Sequence, residues 1–283
     1  MNIKNGNPLF TIIVAVLNSK ESLERCIESV SNQTYPHKEL IIKDGGSDDG
    51  TVEILKNNND KITYWESSPD SGIYNAWNTA LKHAKGEWIC FLGADDYFAN
   101  NDTLNSVAEY FSVANSKNIK VVYGKVQLVD KSGKIVETRG QPWHQTKNTF
   151  LTGKMTIPNP GCFQNRDIFL NHGLFDESFK ISGDYELLLR ELKTNDALFV
   201  PNILTFMGSA GISNSPSYLL LALREDLRAL QKHGLAKLNL WLAIKQLGLL
   251  MANGVSNIAG EKYARILLDI YRMILFKKRK WTI

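Results

Sequence analysis

Cysteine is scarce in this chain of 283 residues: Cys26, Cys90 and Cys162 are odd in number and widely spaced. There is no CxxC pair and no Cys/His cluster, which argues against both a disulfide framework and a structural zinc site. Cys26 and Cys90 sit inside apolar patterns and read as core thiols, in keeping with a reducing compartment. The first turn lacks G-x-G-x-x-G and no Walker-type loop occurs, so a dinucleotide dehydrogenase and a P-loop kinase are both disfavoured. None of the five histidines, His37, His83, His144, His172 and His233, falls at the HExxH spacing of a metalloprotease. Uninterrupted apolar runs are missing too. The stretch 241–251 contains Lys245 and Gln246 and is too broken for a membrane span. The first residues show no basic segment followed by an apolar stretch and a cleavage site, so no secretory leader is expected. No internal repeat or low-complexity tract is present.

Charge of either sign is close to balanced, with a net of +4. The run Lys277, Lys278, Arg279 and Lys280 could account for the whole excess. Nucleic-acid binding, which wants a spread basic surface, is therefore not expected. A basic cluster beside apolar residues instead fits either an anionic membrane surface or a solvated tail. Hydrophobic residues make up 43% and charged residues 22%, the balance of a folded protein with ample core material.

Residues 10–17 (FTIIVAVL) form a segment rich in β-branched and apolar residues and read as a buried strand. Leu23, Ile27 and Val30 then recur at helical spacing over 20–33. Strands are predicted at 39–43, 62–65 and 88–92, with helices at 51–57 and 73–83 between them. This β-α-β-α-β-α-β order argues for a parallel sheet covered by helices. Ligands of such sheets bind beyond the carboxyl ends of the strands. Asn18, Asp44 and the pair Asp95–Asp96 all fall there. Farther on, a helix is predicted at 104–114, strands at 121–123, 125–129 and 135–138, and helical pieces at 168–170 and 185–192. From residue 218 the pattern is helical almost throughout, and a boundary is placed near Ser215-Pro216. The expected organisation is one domain over 1–215 and a helical region over 216–283.

Three acidic clusters carry possible chemistry. Asp44 opens Asp-Gly-Gly-Ser-Asp-Asp-Gly-Thr, whose glycines permit a tight turn and close approach to a ligand. Its aspartate can accept from a nucleobase N–H or a ribose hydroxyl, while Ser47, Asp48 or Asp49 can equally well cap the next helix. Asp95 and Asp96 are adjacent carboxylates that repel unless a cation or donors offset them, and hard oxygen ligands suit Mg²⁺ or Mn²⁺. Asp184, in Ser182-Gly183-Asp184-Tyr185-Glu186-Leu187, is either a general base or a helix N-cap, with Glu186 a weaker candidate for the base.

The combination resembles the family-two glycosyltransferases of GT-A fold. The likeness rests on Val16-Leu17-Asn18, Glu21, the helix ending Glu28-Ser29-Val30-Ser31-Asn32-Gln33, and the stretch from Asp44 to Thr51. It continues through Ser68-Pro69-Asp70-Ser71-Gly72-Ile73-Tyr74-Asn75-Ala76-Trp77-Asn78, Gly86-Glu87-Trp88-Ile89 and Asp95-Asp96. The chain is similar in particular to bacterial members that build exopolysaccharide, O-antigen or capsule units. The resemblance implies an α/β, Rossmann-like, mostly parallel sheet flanked by helices, with a C-terminal helical extension. It implies a nucleotide-sugar pocket lined by Val16, Leu17, Asn18, Glu21, Asp44, Gly45, Asp70, Gly72, Asn75, Asn78 and Asp95, with Asp44 toward the base. Asp96 would ligate Mn²⁺ or Mg²⁺, and Asp184 would be the catalytic base, its segment running to Arg190. Three departures from the family pattern stand out. The metal motif is Gly-Ala-Asp-Asp rather than Asp-x-Asp, Asn75 replaces a frequent aspartate, and no histidine lies near Asn159.

The expected activity is inverting transfer of a sugar, from a UDP-sugar by family likeness, to a saccharide or lipid-linked acceptor. The expected location is the cytoplasm, with a peripheral contact on the inner face of the membrane through the helix over 265–276 and the basic run behind it. The alternative for that helix is packing on the main domain or on a second subunit. A nucleotidyltransferase and a non-catalytic sugar-nucleotide-binding subunit are the alternative functions. The first would need a Gly-rich basic loop where Asn18-Ser19-Lys20 stands, and the second sits poorly with Asp44, Asp96 and Asp184 together.

Overall fold

The computed structural model describes residues 7–130, 132–208 and 216–236, together with Tyr263, Ile266 and Asp269. The first half alternates as the periodicity predicts: β1 (Phe10–Val16), α1 (Leu23–Ser31), β2 (Lys38–Asp44), α2 (Thr51–Asn57), β3 (Tyr64–Ser67), α3 (Ile73–Leu81) and β4 (Trp88–Gly93). A two-residue strand β5 (Tyr97–Phe98) and helices α4 (Thr103–Ala108) and α5 (Phe111–Ser116) follow. The second half comprises β6 (Val121–Val129), β7 (Ile135–Arg139), α6 (Trp143–Leu151), β8 (Cys162–Asn165), α7 (Asp167–His172), α8 (Gly183–Leu192), β9 (Leu198–Gly208) and α9 (Pro216–Lys232).

Among the described residues nine strands form one sheet in the order β3-β2-β1-β4-β8-β6-β9-β5, with β7 paired to β6. Strands β1 to β4 are mutually parallel. β8 runs against both β4 and β6, whereas β6 and β9 are parallel. β5 and β7 oppose their neighbours. The sheet is thus mixed, with most strands pointing one way.

Both faces are covered, which is why β1 and β4 read as continuous apolar runs. Alternate side chains part cleanly between two cores. Ile13, Ile89 and Phe91 join Tyr74, Trp77, Tyr185 and Leu188 on one face. Phe10, Ile12, Val14, Trp88, Cys90 and Leu92 meet Leu23, Ile27, Leu104 and Phe111 on the other. Each of these large side chains contributes roughly 1.5–3 kcal/mol by leaving water.

Two elements differ from expectation for identifiable reasons. The single helix predicted over 104–114 is broken between α4 and α5. At the break the Tyr110 amide bonds the Val107 carbonyl at 3.0 Å, an i to i−3 closure that interrupts the α pattern, while Leu104, Val107, Phe111 and Ala114 keep one buried face and the Phe111 ring stacks on Trp88 at 4.2 Å and 7°. Conversely, the two strands predicted around Gly124 are one, with a register shift against β9 at that point. A Cβ on Gly124 would lie 2.5 Å from the Leu204 side chain, so the close crossing of β6 and β9 requires glycine there.

Candidate functional site

The carboxyl ends of β1, β2 and β4 lie level. Val16 pairs with Asp44 and Ala15 with Gly93, so Asp44 and the turn carrying Asp95 and Asp96 flank the end of β1. Ser67, the last residue of β3, pairs in turn with Asp44. The loop beyond it carries Asp70 and Gly72 into α3, whose Tyr74 hydroxyl stands 3.4 Å from Asp184 Oδ1. A continuous path of contacts along one rim therefore joins the first and third acidic clusters.

Asp44 is fully buried at the bottom of its turn. Its Oδ2 accepts from the Gly46 and Ser47 amides, both at 3.0 Å, and from the Ser67 hydroxyl at 2.6 Å; the Ser47 hydroxyl donates to Oδ1. Burial opposes its charge, but these donors prevail and hold the carboxyl below its ordinary range. Oδ2 is saturated, so capacity for a further donor remains on Oδ1. Gly45 donates to the Val16 carbonyl at 2.9 Å, and a Cβ on it would come within 2.8 Å of Asp70 Oδ2. Asp70 Oδ1 in turn accepts from the Gly72 amide at 2.9 Å.

The turn after β1 is zipped to the turn after β2. The Asn18 amide donates to Ser47 Oγ and the Asp48 amide to Asn18 Oδ1, with Asn18 in the left-handed region at φ 49°. Asp49 accepts from Thr51 and from the Lys20 amide, so it supports the first turn of α2. Leu17 is 59% exposed, an apolar side chain on an otherwise polar rim, and Glu21 is exposed beyond it. Asn75 and Asn78 face a different group. Asn78 is buried, exchanging hydrogen bonds with both backbone groups of Phe175, and both asparagines donate to Glu177. They tie α3 to the segment that leads to Asp184.

Asp96 is 4% exposed. Its Oδ2 accepts from the Gly93 amide at 2.7 Å, whereas its Oδ1 is buried without a hydrogen-bond partner. Burial first, and then the Asp95 charge, push its carboxyl up to about 7, with the Gly93 and Gly208 backbone and Arg25 opposing. A buried carboxylate oxygen without a donor, beside a second carboxylate, is suited to a divalent cation. Among the described residues no group of three His, Cys, Asp or Glu side chains could cage a metal. The residues present fit an ion of the Mg²⁺ or Mn²⁺ kind, which is usually held by one or two carboxylates plus substrate phosphates. Arg25 packs over Tyr97 at 4.2 Å and donates to the Asp95 carbonyl at 3.4 Å, bracing this turn from α1. From the other side β9 ends at Gly208, where a Cβ would sit 2.1 Å from Asp95 Oδ2.

Asp184 lies in the first turn of α8, whose N-cap position is taken by Ser182 without a side-chain cap. The carboxyl is half-buried and accepts from the Tyr185 amide at 2.8 Å. Burial raises it to about 6, against hydrogen bonds from the Tyr185 and Asp184 backbone and from Tyr74. Glu186 is different. It is fully buried and paired with Arg190, Lys232 and His233, which hold it ionised and below its usual range despite burial. That pairing makes Glu186 a strut between α8 and α9. Ser67, Arg25 and Gly208 are site neighbours that sequence reasoning does not single out, and Tyr74, part of the motif stretch, reads there as a core aromatic rather than as a neighbour of Asp184. Only Tyr74 has a local signal, its place two residues beyond Gly72.

A concavity of about 440 Å³ lined by Leu9, Gly86 and Arg166 lies at the opposite end of the strands, so volume alone does not locate this site.

Residues 11–173 match the model of glycosyl transferase family 2. The chain belongs to that family. It is 28% identical over 208 residues to an uncharacterised glycosyltransferase of Mycobacterium tuberculosis, covering 73% of this chain and 78% of the relative. It is 29% identical to a PGL/p-HBAD biosynthesis glycosyltransferase of Mycobacterium bovis, covering 65% and 69%. With the hyaluronan synthase of Pasteurella multocida the identity is again 29%, over 66% of this chain but only 19% of that one. Among solved structures, the mannosyltransferase PcManGT of Pyrobaculum calidifontis, in complex with GDP-Man and Mn²⁺, superposes with a TM-score of 0.60 at 20% identity, covering 97% and 82%. TarS of S. aureus in complex with UDP gives 0.55 at 18% identity, and the likeness spans 77% of this chain and 65% of that one. These structural likenesses show the shared GT-A fold. The glycosyltransferase is, as the resemblance implies, an α/β protein with helices on both faces of its sheet.

Among the described residues no helix is long and apolar enough to cross a membrane. The basic run and most of the helix predicted over 265–276 lie outside the described residues.

Proposed function

We propose that this glycosyltransferase moves a hexose-type sugar from a nucleoside diphosphate donor, UDP-linked by family likeness, to a hydroxyl of a growing polysaccharide or glycolipid, with inversion at the anomeric carbon. The observation that carries this reading is the division of labour among three carboxyls on one rim. Asp44 is held ionised by donors, Asp96 keeps a buried oxygen without a donor, and Asp184 is raised to about 6. Leu17, Asn18, Gly45 and Asp70 would line the base and ribose, with Oδ1 of Asp44 as the acceptor left for the base. Asp95 would face the ribose or sugar. The ligands present in the two structural neighbours, GDP-Man and UDP, are likewise nucleoside diphosphate compounds.

Asp184 takes the proton of the acceptor hydroxyl as that oxygen forms its bond to the anomeric carbon. The bond to the diphosphate breaks, and its electron pair leaves with the phosphate oxygen. A base so placed contributes about 10²–10⁴-fold in rate. A divalent cation on Asp96, when bound, would supply charge neutralisation for the diphosphate. A peripheral contact at the inner membrane face through the basic C-terminal run would bring a lipid-linked acceptor within reach.

The test is calorimetric titration of UDP and GDP with and without Mn²⁺. Binding should be strengthened by the metal in the wild type and lose that metal dependence in Asp96→Ala. Unchanged metal-dependent affinity in the variant would remove Asp96 from the metal role.

A further inference from the structure

The segment that delivers Asp184 to the rim is held from two sides by residues far away in sequence. From α9, Glu225 accepts three successive backbone N–H groups: Lys180 on Oε1 at 2.8 Å, and Ile181 and Ser182 on Oε2 at 2.8 and 2.9 Å. From α3, the Tyr74 hydroxyl accepts from the Gly183 amide at 2.7 Å and donates to the Ile181 carbonyl at 2.6 Å. Four consecutive amides ahead of the base are therefore pinned. A Cβ on Gly183 would meet the Tyr74 ring at 2.7 Å, so the ring lies directly against the backbone. Glu225 is itself 5% exposed.

An ordinary helix start satisfies its first amides with the side chain at its own N-cap. Here Ser182 does not cap, and its hydroxyl instead faces the Ala222 carbonyl on α9 at 3.4 Å. The local cap is replaced by a carboxylate from 43 to 45 residues farther along the chain.

We propose that Glu225 is a positioning residue for transfer, fixing the register in which Asp184 meets the acceptor and making α9 part of the catalytic unit. The proposal rests on Asp184 being the base. A neutral acceptor would serve a purely structural cap, whereas a carboxylate also places a like charge near Asp184 and adds, behind burial, to the upward displacement of its carboxyl. Among the described residues, the Tyr74 phenol on α3 and the buried Cys162 thiol on β8 also feel Asp184, and the ionisation of each is opposed first by burial and then by Asp184. Glu186, on the same helix, is already paired with Arg190, Lys232 and His233.

The experiment compares the full-length wild type with Glu225→Gln, Glu225→Asp and Asp184→Asn. The readouts are kcat, donor KM, the pH profile of kcat, and nucleoside diphosphate binding. Glutamine keeps the shape but replaces one acceptor oxygen by a donor. Glu225→Gln should lower kcat by roughly 10-fold or more, since a base displaced by a fraction of an ångström to one ångström already loses that much. Donor KM should stay within about twofold, because the base does not touch the nucleotide, and the acid limb of kcat should move to lower pH. Wild-type kcat in Glu225→Gln, or a loss of kcat with the acid limb unmoved and nucleotide binding weakened in parallel, overturns the proposal. If Glu225→Gln does not fold, Glu225→Asp decides: lowered kcat with donor KM retained supports the proposal, and wild-type kcat overturns it. Normal turnover by Asp184→Asn would sink the base reading itself. An inactive Asp184→Asn beside a fully active Glu225→Gln would sink only the role of Glu225.

Discussion

Replacing Asp184 by asparagine should abolish transfer and, at neutral pH, make the protein harder to unfold. In the folded chain the Asp184 carboxyl is raised from 3.8 to about 6, chiefly by burial. One pKa unit corresponds to about 1.4 kcal/mol, so the ionised form opposes folding by at most ~3 kcal/mol at pH 7. The side chain is half-buried, and water returns part of that, leaving an expected gain of ~1–2 kcal/mol for the neutral amide. The asparagine oxygen can keep the acceptance from the Tyr185 amide, so that donor is not stranded. The sign follows from the direction of the shift. A carboxyl raised on folding supports the fold below its unfolded pKa near 4 and withdraws that support as the pH climbs through about 6. The difference between variant and wild type should therefore be small at pH 4 and full at pH 7, where the melting temperature rises by roughly 3–6 °C. Thermal melts across that range, paired with a donor-consumption assay, test both halves. A variant that melts earlier at pH 7, or whose advantage does not grow with pH, would refute the desolvation argument. In the wild type the same carboxyl sets the acid limb of kcat/KM near pH 6, with activity rising as it deprotonates.

Other perturbations have equally definite outcomes. Gly208→Ala would drive a methyl into Asp95, and Mn²⁺-dependent nucleotide affinity, measured by calorimetry, should fall by about 10-fold or more. Asn78→Ala strands the Phe175 amide and carbonyl in the core, and denaturant titration should show a loss of ~2–4 kcal/mol. Deleting residues 277–280 should reduce pelleting with anionic liposomes if the basic run touches lipid; equal pelleting of both forms removes that idea.

What could be read from sequence divides along physical lines. β1 and β4 are buried on both faces and read as apolar runs, the Leu40-Ile41-Ile42 centre of β2 does the same on a smaller scale, and the turn residues beyond them place Asp44 and Asp96 at the strand ends. β8 and β9 were illegible. The first is four residues long with a buried Gln164, and the second carries Pro201 and Asn202 at its middle. Neither shows the alternation that marks a strand. The break between α4 and α5 is a single tightened turn, the Tyr110 amide on the Val107 carbonyl, and it leaves the apolar spacing of Leu104, Val107, Phe111 and Ala114 unchanged, so the pattern does not mark it. Asp184 was legible as a candidate base through its motif, whereas Glu225 was not. A charged residue on an amphipathic helix looks solvent-facing until the partner strand of backbone is known.

The remote cap also bears on the order of events during synthesis. The amides of Lys180, Ile181 and Ser182 are paired with an acceptor that leaves the ribosome only some 45 residues later. Until then the sheet's first four strands can assemble and the nucleotide rim can take shape, while the segment bearing the proposed base has three open donors. A nascent chain would acquire its nucleotide grip before its chemistry, and would gain the second only when α9 folds back.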